Sequence, residues 1–172
     1  MHHLKIGKLM TLNRFFITFG GSGLAPKAPG TVGSFVALII GVALLQIIPM
    51  QTFFMLTLLI TIAGVFEINK YEKLTDTHDD KSIVIDEVSG MWIALMFAIS
   101  TAKIMSYNYA YEIAIVASFG AFRLFDIWKP STIGTIDRKV KSGIGVMGDD
   151  ILAGIAGGLL TVLILRALDF VL

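Results

Sequence analysis

The chain has 172 residues, of which 55% are apolar and only 16% charged, with a mean hydropathy of +0.79 and a formal net charge of +1. A soluble domain of this length carries about 25% charged residues, so the composition excludes a disordered chain, a coiled coil and an ordinary cytosolic enzyme, and the small net charge leaves no basic field for nucleic acid. Cysteine is absent, which excludes a disulfide scaffold, a zinc–thiolate site and a cysteine nucleophile.

In chain order, the first 14 residues lack a long apolar core and a cleavage site, so no signal peptide is expected. From Gly20 to Ser34 runs GGSGLAPKAPGTVGS, with five glycines and two prolines. Such a loop can curl backbone N–H groups around an anion at the start of a helix. A tight re-entrant turn explains it nearly as well, and it is neither a Walker loop nor a dinucleotide fingerprint. The first apolar block spans Thr31 to Ile48, with Thr31 as a candidate N-cap. The second is Thr52 to Phe66 and the third Val88 to Ala102. The fourth, Tyr109 to Phe122, is broken only by Glu112, and the fifth is Ile151 to Leu165. Long uncharged runs without alternation predict helices. Their lengths sit at or below the short end of a bilayer span, about 17–25 residues, so they read as tilted spans of a compact bundle or as buried helices of a very apolar soluble protein, and the mean hydropathy and charge pattern favour the spans. Ala153, Gly154, Gly157 and Gly158 form small-xxx-small pairs that let a neighbouring helix approach closely. The expected fold is all-α: one domain over residues 1–172, a compact bundle of about five apolar helices, transmembrane, with its catalytic loops on one face.

If all five blocks cross, one side holds Lys5, Lys8, Arg14, Lys27, Lys70, Lys73, Lys81, Arg123, Lys129, Arg138, Lys139 and Lys141, and the other holds Lys103 and Arg166. Twelve against two predicts that the first side is cytoplasmic. The acids follow the same side, Glu112 and Asp169 excepted, and three clusters press against apolar blocks: Asp86-Glu87, Asp126 and Asp149-Asp150. A carboxylate at such a place is costly unless it is capped, paired or metal-bound. Three clusters on one face suggest convergence on a cation, and oxygen ligands without Cys or His suit a hard ion, Mg²⁺ first. Helix caps or ion pairs are the alternative for each cluster taken singly. Arg123 and Asp126, at i and i+3, share a helix face, so Asp126 can ligate metal while Arg123 grips a phosphate bidentately. Pro130 then ends the helix after Lys129.

These stretches resemble the phosphatidylglycerophosphatase A family of bacterial membrane lipid phosphatases, from about Thr18 to Gly154. The signatures are GSGLAPKAPGTVGS, IVIDEVSGMWIAL, FRLFDIWKPSTI and DRKVKSGIGVMGDDILAG, in order and in register. The resemblance implies Mg²⁺-dependent hydrolysis of phosphatidylglycerophosphate to phosphatidylglycerol, in the bacterial inner membrane, with the active site facing the cytoplasm and a phospholipid as partner. It directs attention to Asp86, Glu87, Asp126 and Asp150 as catalytic residues. Gly23, Gly30, Thr31, Ser34, Arg123, Lys129 and Arg138 are the expected substrate-binding residues. Asp79, Asp86, Glu87, Asp126, Asp149 and Asp150 are the expected metal ligands, Asp79 because family members commonly carry an Asp there. Rival phosphatase chemistries lack their residues: there is no Cys, no D-x-D, and no His after His78. A CDP-alcohol phosphotransferase needs an aspartate-rich signature that is absent, and a small ion-coupled carrier needs acids nearer mid-membrane.

Overall fold

The structure, a computed structural model, describes residues 11–77, 80–130 and 142–171. Among the described residues there is no strand, and five long helices carry the fold: α1 Pro29–Leu45, α2 Met50–Thr75, α3 Ile85–Ala102, α4 Ala110–Trp128 and α5 Gly143–Val171. Residues 11–17 are also helical and lead through a 3-10 turn, Ser22–Leu24, into α1.

The third apolar block becomes the centre of the bundle. α3 packs against all four other long helices, most extensively against α5. Apolar or small side chains all round are what such a buried helix requires. Met91, Trp92, Leu95 and Ile99 are each at most 2% exposed. A side chain of this size stabilises by about 1.5–3 kcal/mol when fully buried. Trp92 stacks obliquely on Phe53 of α2, with centroids 4.9 Å apart, and donates its Nε1–H to the Ala37 carbonyl of α1 at 2.8 Å. One residue thereby ties three helices together. Gly90 and Gly154 meet backbone to backbone at the α3–α5 crossing, and Gly157 lies against the backbone of Ala121 and Phe122 at the α4–α5 crossing. This is the close approach expected of small residues.

The outer surface is apolar too. Leu58, Leu59, Ile62 and Phe66 of α2, and Leu159 and Leu163 of α5, are exposed. In water such a belt would drive aggregation, whereas it matches a hydrocarbon solvent. α2, α3 and α5 are long and apolar enough to cross a membrane, and they mark the protein as membrane-associated. α1 is apolar but shorter, and α4 carries Glu112, Arg123 and Asp126.

All five predicted helices are present, but their ends differ from the apolar blocks. α2 runs through Glu67, Lys70, Glu72 and Lys73 for more than two turns beyond Phe66. The Asn69 side chain on that extension accepts the Gly143 N–H at 2.8 Å, capping the start of α5. The N-cap of α1 is Ala28, in the left-handed region, with Pro29 at the first helical position, so Thr31 lies inside the first turn. α5 begins at Gly143, eight residues before the fifth block. Asp149 and Asp150 are therefore not end-of-helix acids. They lie two turns in, 4% and 3% exposed. Hydropathy marks where a helix must be apolar, not where its backbone hydrogen bonding begins.

Candidate active site

An up-down bundle places the starts of α1, α3 and α5 and the ends of α2 and α4 at one end. There the polar residues gather. A cavity of about 230 Å³ is lined by Pro29 and Gly30 of α1, Asp80, Lys81 and Ile83 of the α2–α3 connection, Asp86 and Glu87 of α3, Asp126 and Lys129 from the end of α4, and Val146, Asp149 and Asp150 of α5.

Each carboxylate arrives for a local reason. Asp86 and Glu87 occupy the first turn of α3, where the helix end carries partial positive charge. Asp86 accepts the Glu87 backbone N–H at 3.1 Å. Asp150 is brought to them by the Gly90–Gly154 contact, since Gly90 lies one turn past Asp86 and Gly154 one turn past Asp150. Asp86, Glu87 and Asp150 each offer an oxygen within 4.8 Å of the other two. Asp126 reaches Asp150 from α4. Like charges this close repel strongly where water is scarce, and a divalent cation is the natural counter-charge. The donor set fits one: all oxygens, with Glu87 Oε2 and Asp150 Oδ2 buried and without a hydrogen-bond partner among the described residues. The cap explanation applies to Asp86 and Glu87 in part and to Asp150 not at all.

Arg123 is held on three sides. Nη1 donates to Ser34 Oγ at 3.2 Å and pairs with Asp126, and Nη2 donates to Thr31 Oγ1 at 3.2 Å. Ser34 in turn donates to the Gly30 carbonyl at 2.7 Å and is fully buried. Thr31 and Ser34, expected near the phosphate, thus grip the guanidinium. Lys129 ends α4 in the left-handed region, with φ of 43°, and its Nζ lies 2.6 Å from Asp149 Oδ2. A non-glycine residue there costs about 1 kcal/mol or more, a strain that turns the chain at the cavity rim.

The glycine-rich loop behaves as a turn. The amides of Gly20, Gly21 and Gly23 are bonded to the carbonyls of Phe15, Thr18 and Thr18 at 2.9–3.1 Å, so they are not donors for an anion. Gly20 and Gly21 have φ of 67° and 91°, which only glycine adopts without strain. Gly23 is buried against Ser82 and Val84 and does not line the cavity. Gly30 does line the cavity, yet a side chain there would strike Glu87 Oε1 first, so Gly30 makes room for a carboxylate. Asp79 and Arg138 lie outside the described residues.

Sequence reasoning passed over Asp80 and Lys81. Asp80 accepts the Ser82 N–H at 2.9 Å and the Tyr71 hydroxyl at 2.8 Å. The Ser82 hydrogen bond is the main reason its carboxyl is held below the usual carboxylate range. The charge of Asp80, and the clasp it forms between α2 and the α2–α3 connection, therefore persist at neutral pH and are lost only on strong acidification. Lys81 is exposed and supplies a cation at the rim. The visible signal was position, since both stand a few residues before Asp86 in DDKSIVIDEV.

The comparisons with known proteins bear on this arrangement. The family model described as phosphatidylglycerophosphatase A matches residues 15–165. The chain belongs to the phosphatidylglycerophosphatase A family. It is 38% identical over 151 residues to phosphatidylglycerophosphatase A of Haemophilus influenzae, covering 88% of this chain and 86% of that protein. It is 38% identical over 135 residues to the Escherichia coli protein of the same name, covering 78% and 73%. A third relative, "Putative phosphatidylinositol-3-phosphatase" of Bacteroides thetaiotaomicron, is 37% identical over 139 residues, covering 78% and 82%. No solved structure matches. The family is one of phosphatases, and every acid of its expected site that lies in the described residues lines the one cavity.

Proposed function

We propose that the protein is a divalent-cation-dependent lipid phosphatase that hydrolyses the phosphomonoester of phosphatidylglycerophosphate to give phosphatidylglycerol. The observation that carries this reading is the convergence of Asp86, Glu87 and Asp150 within 4.8 Å in a cavity rimmed by Lys81 and Lys129. Asp86, Glu87 and Asp150 would hold Mg²⁺, with Asp126 and Asp149 beside them. A cation held there supplies charge neutralisation and a water of lowered pKa.

The chain's own groups do the rest. A phosphomonoester brings nearly two negative charges, which the acids alone would repel. Lys81, Lys129 and Arg123 offset that charge at the rim. As a water oxygen bonds to phosphorus, its proton passes to a cavity carboxylate outside the cation's ligand set. The bond from phosphorus to the glycerol oxygen breaks, and that oxygen takes up a proton. The decisive experiment is phosphate release from dioctanoyl phosphatidylglycerophosphate, measured with EDTA and after Mg²⁺ is restored. Activity that survives EDTA would sink the cation reading. Because one relative bears a phosphoinositide phosphatase name, phosphatidylinositol 3-phosphate belongs in the same assay. Faster turnover of that lipid would reassign the headgroup and leave the chemistry intact.

Arg123→Lys should lower kcat/KM about 10²-fold. Lysine keeps the charge but cannot at once satisfy Ser34, Thr31 and Asp126 and present a fork to phosphate. Near-normal kinetics in a correctly inserted variant would mean that Arg123 only braces α1 against α4.

We further propose that all five helices cross the inner membrane with the cavity on the cytoplasmic side, on the twelve-to-two distribution of Lys and Arg. Lys73 and Asn108 are exposed at opposite ends of the bundle. The chain has no native cysteine, so single cysteines placed at these positions should react with an impermeant maleimide from opposite faces. Labelling from one face would rule out the five crossings.

A further inference from the structure

Beside the carboxylate cavity a second hollow runs along the outer face of α4, lined by Gly120, Arg123, Leu124, Ile127 and Trp128. These residues stand at i, i+3, i+4, i+7 and i+8, one stripe of a helix. Leu124, Ile127 and Trp128 are 50%, 71% and 68% exposed. The hollow exists because position 120 has no side chain. A Cβ built on Gly120 would meet nothing within 4 Å, unlike those at Gly30, Gly90, Gly154 and Gly157, which would strike packed neighbours. Helix packing therefore does not explain this glycine.

Arg123 joins the hollow to the active site. Its Nη atoms hold Asp126, Ser34 and Thr31, and Nη1 lies 3.5 Å from where a Gly30 Cβ would stand. Asp126 and Gly30 line the carboxylate cavity. The Nε–H of Arg123 is buried and has no hydrogen-bond partner among the described residues. A guanidinium that lines an apolar groove and is still 14% exposed points to an anion on an apolar body. Trp128, at the last helical residue, stands at the polar end of that groove, where an amphipathic ring suits a lipid headgroup boundary.

We infer that the α4 groove seats the glycerol and proximal acyl chain of a phospholipid bearing a phosphomonoester, with the exposed part of the Arg123 guanidinium, which lines the groove, donating to a headgroup phosphate oxygen. The groove would then select a membrane lipid over a soluble phosphate ester. This rests on the lipid phosphatase reading, and it specifies how the substrate reaches the site: sideways along α4, with its head turned in past Arg123.

Trp128 and the buried Trp92 are the chain's two tryptophans, so the test can be optical and need no turnover. In detergent with EDTA, the full chain is titrated with dibromo-acyl phosphatidic acid and, separately, with dibromo-acyl phosphatidylcholine, with Trp128→Phe assigning the signal. Quenching by the phosphomonoester lipid should reach its midpoint at a mole fraction at least about fivefold lower. Gly120→Phe, at a position where a Cβ meets nothing within 4 Å, should abolish the difference. In the kinetic arm it should raise KM for a dioctanoyl substrate about fivefold at unchanged kcat. Equal quenching by the two lipids in the wild-type chain, or a difference that survives Gly120→Phe, would overturn the groove. The wild-type titration stands even if that variant fails to fold. Selective quenching in a chain that releases no phosphate would overturn the phosphatase reading and leave the groove standing. Phosphate release without selective quenching would do the reverse.

Discussion

Asp150→Asn should abolish phosphate release, by about 10³-fold or more, while making the cation-free protein more stable. The two effects share one cause. Asp150 is 3% exposed and within 4.8 Å of Asp86 and Glu87, with Asp126 and Asp149 close by. In the absence of a cation these charges repel through a medium poor in water, and the fold bears that cost. An amide of the same shape removes one charge and keeps the packing. A gain of about 1 kcal/mol corresponds to roughly 2–4 °C in Tm for a chain of this size. The wild-type protein should gain stability on adding Mg²⁺, because a ligand bound only by the folded state shifts the equilibrium, and Asp150→Asn should not. Thermal unfolding in EDTA and in Mg²⁺, run beside the phosphatase assay, measures all of this. A variant that lost activity and stability together would make Asp150 a structural hydrogen-bonding residue instead.

The sequence displayed the existence and number of the long helices because each needs a continuous apolar run to be buried or to meet lipid. It displayed the shared end of the acids because an up-down bundle alternates its ends. Three features were not legible, each for a physical reason. Asp149 and Asp150 read as acids at the start of a helix, yet α5 begins at Gly143. The intervening glycines, Gly143, Gly145 and Gly148, have poor helix propensity, and tertiary packing overrides it: Gly143 is buried against the Val65 backbone and capped by Asn69. Thr31 and Ser34 read as phosphate ligands, but their hydroxyls receive Arg123, a contact 89 to 92 residues away along the chain that no local pattern encodes. The glycine loop read as an anion cradle or, nearly as well, as a turn. Its first part is a turn, because the amides of Gly20, Gly21 and Gly23 are bonded to the carbonyls of Phe15 and Thr18 just before it.

Gly154→Ala, the smallest change available, should cost more activity than stability. Gly154 and Gly90 touch through their backbones: a Cβ on Gly154 would fall against the Gly90 carbonyl and within 2.9 Å of its Cα. Neither partner is a flexible side chain that can swing aside, so the helices must part. Overpacking of this kind costs about 1–3 kcal/mol, which two such extensively packed helices can absorb without unfolding. The site is less tolerant. Asp86 and Glu87 precede Gly90 on α3 by three or four residues, and Asp150 precedes Gly154 on α5 by four, so the glycine contact sets the distance between the carboxylates it underlies. A displacement of about 1 Å at a reacting centre can lower turnover about 10²-fold. The expected outcome is a folded, membrane-inserted variant with kcat reduced about 10²-fold, a weaker response of Tm to Mg²⁺, and a higher Mg²⁺ concentration needed for half-maximal activity. Gly157→Ala is the control. It presses on the backbone of Ala121 and Phe122, at the α4–α5 crossing instead of the α3–α5 one, so it should match the loss of stability and shift the Mg²⁺ requirement much less. If both variants shifted the Mg²⁺ requirement equally, loosening of the whole bundle, and not the α3–α5 spacing, would be what the cation senses.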